Sequence, residues 1–156
     1  MQLARNIVIN KGKDEVWSFL ADPQNVAKWD RGVKAVEAAK ATVPTGEGFE
    51  FTTVGHDGTA QNQGRMRYRI GQTNPEVGCR VDLVSHDGNA RYFKSASWSF
   101  QVVELPAAAS TKRSRIECVA RFNLRLRYIW LASILFFLKG AISRDLIALK
   151  HVLENA

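Results

Sequence analysis

The last stretch of the chain, from Tyr128 to Glu154, limits most strongly what the protein can fold into. Leucine and isoleucine recur in it at steps of three and four residues, which predicts one helix of about seven turns with an apolar stripe. Before Gly140 this helix is apolar nearly all round. The residues that add the second apolar side are Ile129, Trp130, Phe136 and Phe137. The run from 129 to 138 is shorter than the roughly 20 apolar residues of a membrane span, so protein, a ligand, a partner or a membrane surface must cover it.

Length and composition predict an ordinary globular domain that spans residues 1–156. The chain has 156 residues, 46% of them apolar, which is enough for a full core. Its net charge of +7 favours acidic partners such as anionic lipid or nucleic acid. Cys79 and Cys118 have no metal or redox spacing, and Met1–Asn10 contains no leader pattern. We therefore expect a cytoplasmic location.

The first part of the chain predicts a strand followed by two short helices. Leu3 to Asn10 alternates in the manner of a strand. Asp14 is expected to cap a short helix from Glu15 to Ala21. Asp-Pro then ends that helix, and Pro23 suits the first turn of a second one that reaches about Lys28.

From Gly32 onward the apolar period changes to two, which predicts six more strands. In the cleanest of them, Met66, Tyr68 and Ile70 face one way and three arginines face the other. Short connections indicate an antiparallel meander, and the last helix is the only large apolar partner for its apolar face. The predicted strands are Val33–Ala39, Phe49–Val54, Gly64–Ile70, Val77–Val84, Arg91–Val103 and Arg115–Leu126, with a loose loop over Pro106–Ser114.

The predicted elements therefore form an α+β domain. A curved antiparallel sheet of about seven strands wraps around a long C-terminal helix, and two short helices follow the first strand. Because the strand that carries Trp98 lies between the strands of Cys79 and Cys118, the cysteine backbones should be about 9 to 10 Å apart. A disulfide needs Cα atoms within about 7 Å, so both cysteines are expected to be free.

Two segments resemble a known superfamily. The run from Val16 to Asn25 reads Val-Trp-Ser-Phe-Leu-Ala-Asp-Pro-Gln-Asn, and Lys28-Trp29-Asp30 follows it. This pattern is similar to that of the START/Bet v 1-like (SRPBCC) superfamily, particularly its polyketide cyclase/dehydrase branch, and the stretch from Arg144 to Leu153 resembles the closing helix of that family. The resemblance implies a helix-grip fold with a deep cavity between sheet and last helix for a lipid, sterol, polyketide or other hydrophobic molecule. Some relatives are aromatase/cyclases, but the family has no universal catalytic set.

The inward apolar positions predict where such a ligand would bind. Tyr68 and Lys94 project to the same face as Trp98 and are the only, weak, candidates for a catalytic acid or base. The alternatives are a Tyr68 hydroxyl bonded to backbone or buried water and a Lys94 that extends to the strand end. No catalytic triad, phosphate loop or paired inward carboxylates are recognisable, which argues against hydrolase, kinase and glycosidase chemistry. The expected ligand-binding residues are Phe51, Met66, Tyr68, Trp98, Phe100, Phe122, Leu131, Leu135, Leu138 and Ile142.

Two other sequence features have a structural interpretation. His56-Asp57-Gly58 and His86-Asp87-Gly88 suggest a metal site, but Asp-Gly favours turns and two ligands are too few for a closed site. No metal and no cofactor are therefore expected. The arginines at 65, 67 and 69, with those at 115, 121 and 125, suit a solvated sheet face better than a nucleic-acid or lipid surface. Base stacking would need exposed aromatic side chains, and Phe93 is the only obvious one.

Three functions remain open from the sequence. The first is a pocket for a hydrophobic small molecule, and the second is a polyketide aromatase/cyclase that uses the same cavity. The third is a docking protein whose apolar helix start contacts a membrane or a second copy. No nucleic-acid partner is expected, whereas a transient contact with an anionic membrane and a monomer or weak homodimer are compatible with the sequence.

Overall fold

The chain folds into a curved antiparallel sheet with a long C-terminal helix. The computed structural model describes residues 1–38, 46–56, 64–85 and 88–156, and for residues 38, 89 and 134–138 it describes the backbone only. Within these ranges the strands are β1 (Gln2–Ile9), β2 (Val33–Ala38), β3 (Glu50–Gly55), β4 (Arg65–Asn74), β5 (Gly78–Leu83), β6 (Phe93–Ala108) and β7 (Thr111–Leu124). The helices are α1 (Lys13–Leu20), α2 (Val26–Trp29) and α3 (Ala132–Glu154), with short 3-10 segments at Pro23–Asn25, Gly88–Tyr92 and Leu126–Leu131.

The described strands form a single sheet with the order β1-β7-β6-β5-β4-β3-β2, and all neighbours are antiparallel. From β2 to β7 each strand pairs with the next, which is the meander that short connections predict. β1 closes the far edge beside β7. The predicted α+β helix-grip architecture, with two short helices after the first strand, is confirmed.

One end of the inner sheet face packs tightly against helices. Strands β1, β6 and β7 meet α1 and the second half of α3 in an aliphatic cluster. Leucines at 146, 149 and 153 of α3 are at three- and four-residue steps and point together into this cluster. The buried members are Ile9, Val16, Val102, Ile116, Cys118, Leu146, Leu149 and Leu153. This end of the sheet holds α3 in place.

The hairpin between β6 and β7 differs from the prediction. A loose loop over Pro106–Ser114 is wrong, because β6 runs to Ala108 and β7 starts at Thr111. Ala109 and Ser110 turn the chain with φ of 47° and 68°, the two positive values of a tight two-residue hairpin turn. Such turns usually contain Asn-Gly or Asp-Gly, so this sequence lacked the usual signal. Pro106 is tolerated because the pairing is irregular there.

The predicted starts of the first and the last helix also need correction. Gly12, not Asp14, is the N-cap of α1 and makes no side-chain cap bond, while Asp14 lies in the first turn. The predicted single helix from Tyr128 begins instead as the 3-10 segment Leu126–Leu131, and the α-helix starts at Ala132. Leu126, the predicted last residue of the Arg115–Leu126 strand, lies in this 3-10 segment and is 87% exposed.

The two cysteines are free and buried, as predicted. Phe100 of β6 pairs in register with Cys79 on one side and Cys118 on the other, so a whole strand separates the thiols. Of the two His-Asp-Gly triplets, only His56 and Gly88 lie among the described residues. Within that part of the chain no cluster of three or more metal-ligating side chains occurs. None of the described helices is long and apolar enough to cross a membrane.

Candidate functional site

A small cavity lies on the inner face of the sheet, away from the tightly packed end. It has a volume of about 110 Å³ and is formed by β3 to β6 on one side and by α2 with the residues after it on the other. That volume holds several water molecules but is below the range of about 300 to 1,000 Å³ typical of drug-sized ligand sites. The apolar lining consists of Val26, Trp29, Val33, Phe51, Val81, Trp98 and Phe100, and the polar lining of Asp30, Thr53 and Tyr68.

An open groove of about 560 Å³ adjoins this cavity. Asp30, Val33, Thr53 and Tyr68 line both spaces, so the polar groups lie where the two meet. The groove also contacts Arg31, His56 and Met66, which makes it more polar than the cavity. A ligand with one ring in the cavity could therefore extend along the groove toward solvent.

The aromatic rings of the cavity contact one another at steep angles. Tyr68 and Trp98 have ring centroids 5.4 Å apart at 85°, and Trp29 and Phe100 are 5.8 Å apart at 81°. Such edge-to-face pairs are favourable for aromatic rings. The four rings line the void.

Asp30 reaches the cavity because it ends α2. Its backbone N–H donates to the Val26 carbonyl at 2.9 Å, and its backbone then turns to an extended conformation with ψ of 109°. The carboxylate Oδ1 accepts a hydrogen bond from the N–H of Gly32 at 2.8 Å, which fixes the side chain over the following turn. The Trp-Asp pair at the end of a short helix thus supplies both a ring and an acid to one cavity.

Tyr68 is buried, with 8% of its surface exposed, and its hydroxyl is near Met66 Sδ at 3.5 Å. Burial is the main cause that raises the pKa of this phenol, and the negative charge of Asp30 raises it further, while a hydrogen bond with Thr53 opposes the rise. Tyr68 is therefore neutral at ordinary pH. It can donate a hydrogen bond or a proton, but it is a poor base.

Asp30 is electrostatically coupled to Asp145 of α3. Burial raises the pKa of Asp30, and the N–H of Gly32 opposes this. Burial, followed by repulsion from Asp30, also raises the pKa of Asp145 to about 6. The Arg31 N–H and the charges of Arg144 and Arg31 oppose this rise. The sequence patterns did not predict that these two carboxyl groups come within electrostatic reach of each other. The only sequence signal for it was the Trp29-Asp30 motif.

The predicted ligand-binding residues divide into three groups. Phe51, Tyr68, Trp98 and Phe100 line the cavity, and Met66 lines the groove. Phe122 and Ile142 belong to a neighbouring apolar cluster, where Phe122 contacts Trp98 at 5.3 Å between ring centroids. Leu131 is half-buried at the end of the 3-10 segment, and the side chains of Leu135 and Leu138 lie outside the described residues. No described side chain of α3 lines the 110 Å³ cavity, so a lining by the last helix stays a prediction.

Lys94 is not where the alternating pattern placed it. The pairing of β6 shifts between Phe93 and Ser95, so Phe93 packs beside Phe122 at 5.7 Å and Lys94 is exposed. The predicted projection of Lys94 to the inner face with Tyr68 is therefore wrong, and Phe93, expected to be exposed, is half-buried. A bulge shifts the register by one residue without a reliable sequence signal, which explains both errors.

Four of the six arginines in these rows pair with a carboxylate, whereas Arg121 and Arg125 donate to the Gln2 side chain and the Phe93 carbonyl. Arg65 pairs with Glu37, and Arg67 and Arg69 both pair with Glu50, with the Arg69 Nε donating to Oε1 at 2.9 Å. On β7, Arg115 pairs with Glu117 at 2.8 Å. These exposed pairs fit a solvated sheet face, the interpretation favoured from the sequence.

Comparison with known proteins identifies the fold. No protein-family model matches the chain, and no curated protein does. Among solved structures, an aromatase/cyclase (Zhui) from Streptomyces sp. R1128 is 15% identical with a TM-score of 0.73, over 99% of this chain and 93% of that one. Norcoclaurine synthase from Thalictrum flavum is 10% identical with a TM-score of 0.70, over 98% and 86%. A Bacillus thuringiensis protein is 15% identical with a TM-score of 0.66, over 98% of both chains.

These likenesses span nearly the whole chain and show a shared fold. That fold is the helix-grip fold, which the Val-Trp, Asp-Pro and Trp-Asp motifs led us to expect. At identities of 10 to 15%, the activities of these neighbours do not transfer to this chain.

Proposed function

We propose that the protein binds a small hydrophobic molecule, with its apolar end in the cavity and a polar group beside Asp30 and Tyr68. The observation that supports this most directly is the aromatic cavity whose polar groups gather at its junction with the open groove. Ligand sites combine apolar walls with a few fixed polar groups in this way. The shared fold of a polyketide aromatase/cyclase is consistent with such a site.

Tryptophan fluorescence offers a direct test, since Trp29 and Trp98 both line the cavity. A single-ring or two-ring phenol, such as naphthol, should quench it with a Kd in the micromolar range, about −8 kcal/mol. Val81→Phe fills the cavity and should abolish the quenching. Val77→Phe, in an exposed turn, is the matched control and should leave it unchanged. Equal quenching by both variants would place binding elsewhere.

A second candidate function, acid–base catalysis as in an aromatase/cyclase, is favoured by Asp30 and Tyr68 in one cavity. An ionised Asp30 would remove a proton next to a carbonyl, and the neutral Tyr68 would donate a hydrogen bond to the developing oxyanion. Deuterium exchange at the central carbon of an aryl 1,3-diketone would measure this step. Catalysed exchange that Asp30→Asn and Tyr68→Phe both lose would support an enzyme, whereas binding without exchange would support a carrier.

A third candidate, docking to an anionic membrane, is favoured by the exposed 3-10 segment before α3. Leu126 is 87% exposed and Ile129 and Trp130 are each 64% exposed. Arg127 packs over Tyr128, Tyr128 meets Tyr92 edge to face, and Arg91 packs over Tyr92. The sequence from 118 to 144 contains no acidic residue. An anionic bilayer surface attracts this combination of exposed apolar side chains, amphipathic rings and arginines.

Co-sedimentation with vesicles tests the docking segment. Vesicles of phosphatidylcholine with phosphatidylglycerol should retain the protein more strongly than phosphatidylcholine vesicles do. Trp130→Ser should weaken this retention, and Ile147→Ser is the matched control, since Ile147 is 62% exposed elsewhere on α3. Retention that is insensitive to Trp130→Ser, or equal on both vesicles, would argue against docking through this segment.

A further inference from the structure

We propose that the polar group of the ligand is a protonated amine, bound by the Asp30 carboxylate among the aromatic rings of the cavity. This inference rests on the proposed binding function and specifies its ligand class: a small apolar molecule with one ammonium group. It follows from the charge of Asp30, from its carboxylate oxygen that has no described hydrogen-bond partner, and from the aromatic rings around it.

Asp30 lacks a positive partner. Within the described part of the chain its side chain makes one hydrogen bond, from the Gly32 N–H to Oδ1, and no ion pair. Among the described residues, no buried side-chain oxygen or nitrogen lacks a partner. Oδ2 is therefore open to the accessible space of the site rather than sealed in protein. That oxygen is free to accept from a ligand.

Two carboxyl groups, those of Asp30 and Asp145, come within electrostatic reach of each other at this site. Asp145 repels Asp30, and the nearby Arg31 and Arg144 act on the Asp145 carboxylate. The pKa of Asp30 is raised by burial, which a bound cation would offset by stabilising its charged form. A carboxylate ligand in the cavity would instead add a negative charge next to the Asp30 carboxylate.

The surrounding rings also suit a cation. Trp29, Phe51, Tyr68, Trp98 and Phe100 all line the same small cavity as Asp30. A ligand cation is attracted to aromatic ring faces, most strongly to tryptophan, and more so when it is removed from water. A neutral alcohol or ketone of the same size would bury the same apolar area without either electrostatic gain.

Three near-isosteric probes separate these possibilities: 2-phenylethylamine, 2-phenylethanol and phenylacetate. Binding to the purified full chain near pH 7.5 is followed by calorimetry and by the fluorescence of Trp29 and Trp98. We expect the ammonium probe to bind about 10- to 100-fold more tightly than the alcohol, the span of a charged hydrogen bond. Phenylacetate should bind more weakly than the alcohol.

Asp30→Asn provides the matching protein change, because the amide oxygen can still accept from the Gly32 N–H. It should bring the amine down to the affinity of the alcohol while leaving the alcohol unchanged. Asp14→Asn, at an exposed position in α1, is the control and should alter neither. The comparison of probes on the unaltered protein needs no variant, so a poorly folding Asp30→Asn would not spoil the test.

Three results would overturn the inference. Equal or tighter binding of the alcohol to the unaltered protein would remove the ammonium class and leave the hydrophobic pocket standing. Failure of all three probes and of naphthol to bind would overturn both the inference and the proposed function. An amine preference that persists fully in Asp30→Asn would assign the cation to another group.

Discussion

The two ends of the inner sheet face are built from different side chains. At the packed end, where β1, β6 and β7 meet α1 and α3, aliphatic residues fill the space, and Ile9, Val16, Ile116 and Leu149 are 0% exposed. At the hollow end, where β3 to β6 face α2, aromatic rings and three polar side chains enclose a cavity. The same sheet therefore carries a core at one end and a site at the other.

This difference separates the packed core of the fold from the candidate binding site. Branched aliphatic side chains from a regular helix interdigitate with those of the sheet and leave few voids. α2 is a single short turn, so the sheet opposite it is covered by rings and by the irregular chain after Trp29. The candidate site therefore lies where the described chain opposite the sheet is short and irregular.

The largest expected effect is a loss of stability at the packed end. Leu149→Ala removes a fully buried side chain and should lower the free energy of unfolding by about 2 to 5 kcal/mol. Val33→Ala, in the wall of the existing cavity, should cost less than half as much, because its neighbours already border a void. Urea unfolding of both variants measures the difference. Equal losses would contradict the division into two ends.

A small-to-large change sharpens the same comparison. Val102→Phe inserts a ring into the packed end, where Val102 is 2% exposed, and should cost about 1 to 3 kcal/mol. Val81→Phe, on the neighbouring strand, can place its ring in the 110 Å³ cavity and should cost less than about 1 kcal/mol. The midpoints of thermal unfolding compare the two. A greater loss from Val81→Phe would show that the cavity is not available for filling.

A smaller effect is expected from pH, at the boundary between the two ends. The folded-state pKa of Asp145, about 6, is above its usual value, so the native state binds more protons than the unfolded state between about pH 4 and pH 6. The free energy of unfolding should therefore fall as pH rises through that window. Asp145 is half-exposed, and solvent screening limits the effect to about 1 kcal/mol.

Asp145→Asn should flatten this fall, with a remainder from Asp30, whose pKa is shifted in the same direction. Urea unfolding at pH 4.5 and pH 7 compares it with Asp14→Asn as the control. If the free energy of unfolding instead rises with pH across this window, and does so equally in the unaltered protein and both variants, burial does not raise the pKa values of the two carboxyls.

The smallest expected signal is thiol reactivity. Burial raises the pKa of Cys79 to about 11 and that of Cys118 to about 12, with Asp145 adding to the latter, so neither forms much thiolate at pH 8. Native protein should react slowly with a thiol reagent, and Cys79 should react before Cys118. Unfolded, unreduced protein should titrate two thiols. A count of zero would contradict both the free cysteines and the strand order.

Periodicity was sufficient for most of the fold. The alternation in Met66, Tyr68 and Ile70 and the helical spacing of Leu146, Leu149 and Leu153 follow from geometry that each segment has by itself. The errors occur where a single residue changes the register. The bulge near Lys94 and the Ala109–Ser110 turn depend on pairing with the adjacent strand. Neither has a recognisable signal in the local sequence.

What the sequence by itself determined is the order of elements, the face of each strand that turns inward, and the inward position of Phe51, Tyr68, Trp98 and Phe100. Only the tertiary structure decided that Asp30 joins them, because its side chain lies at the end of a short helix far from those strands in sequence. It also decided that Asp145 of α3 comes within electrostatic reach of Asp30. A local pattern specifies which way a side chain points, but the groups that meet across a cavity depend on how distant segments pack.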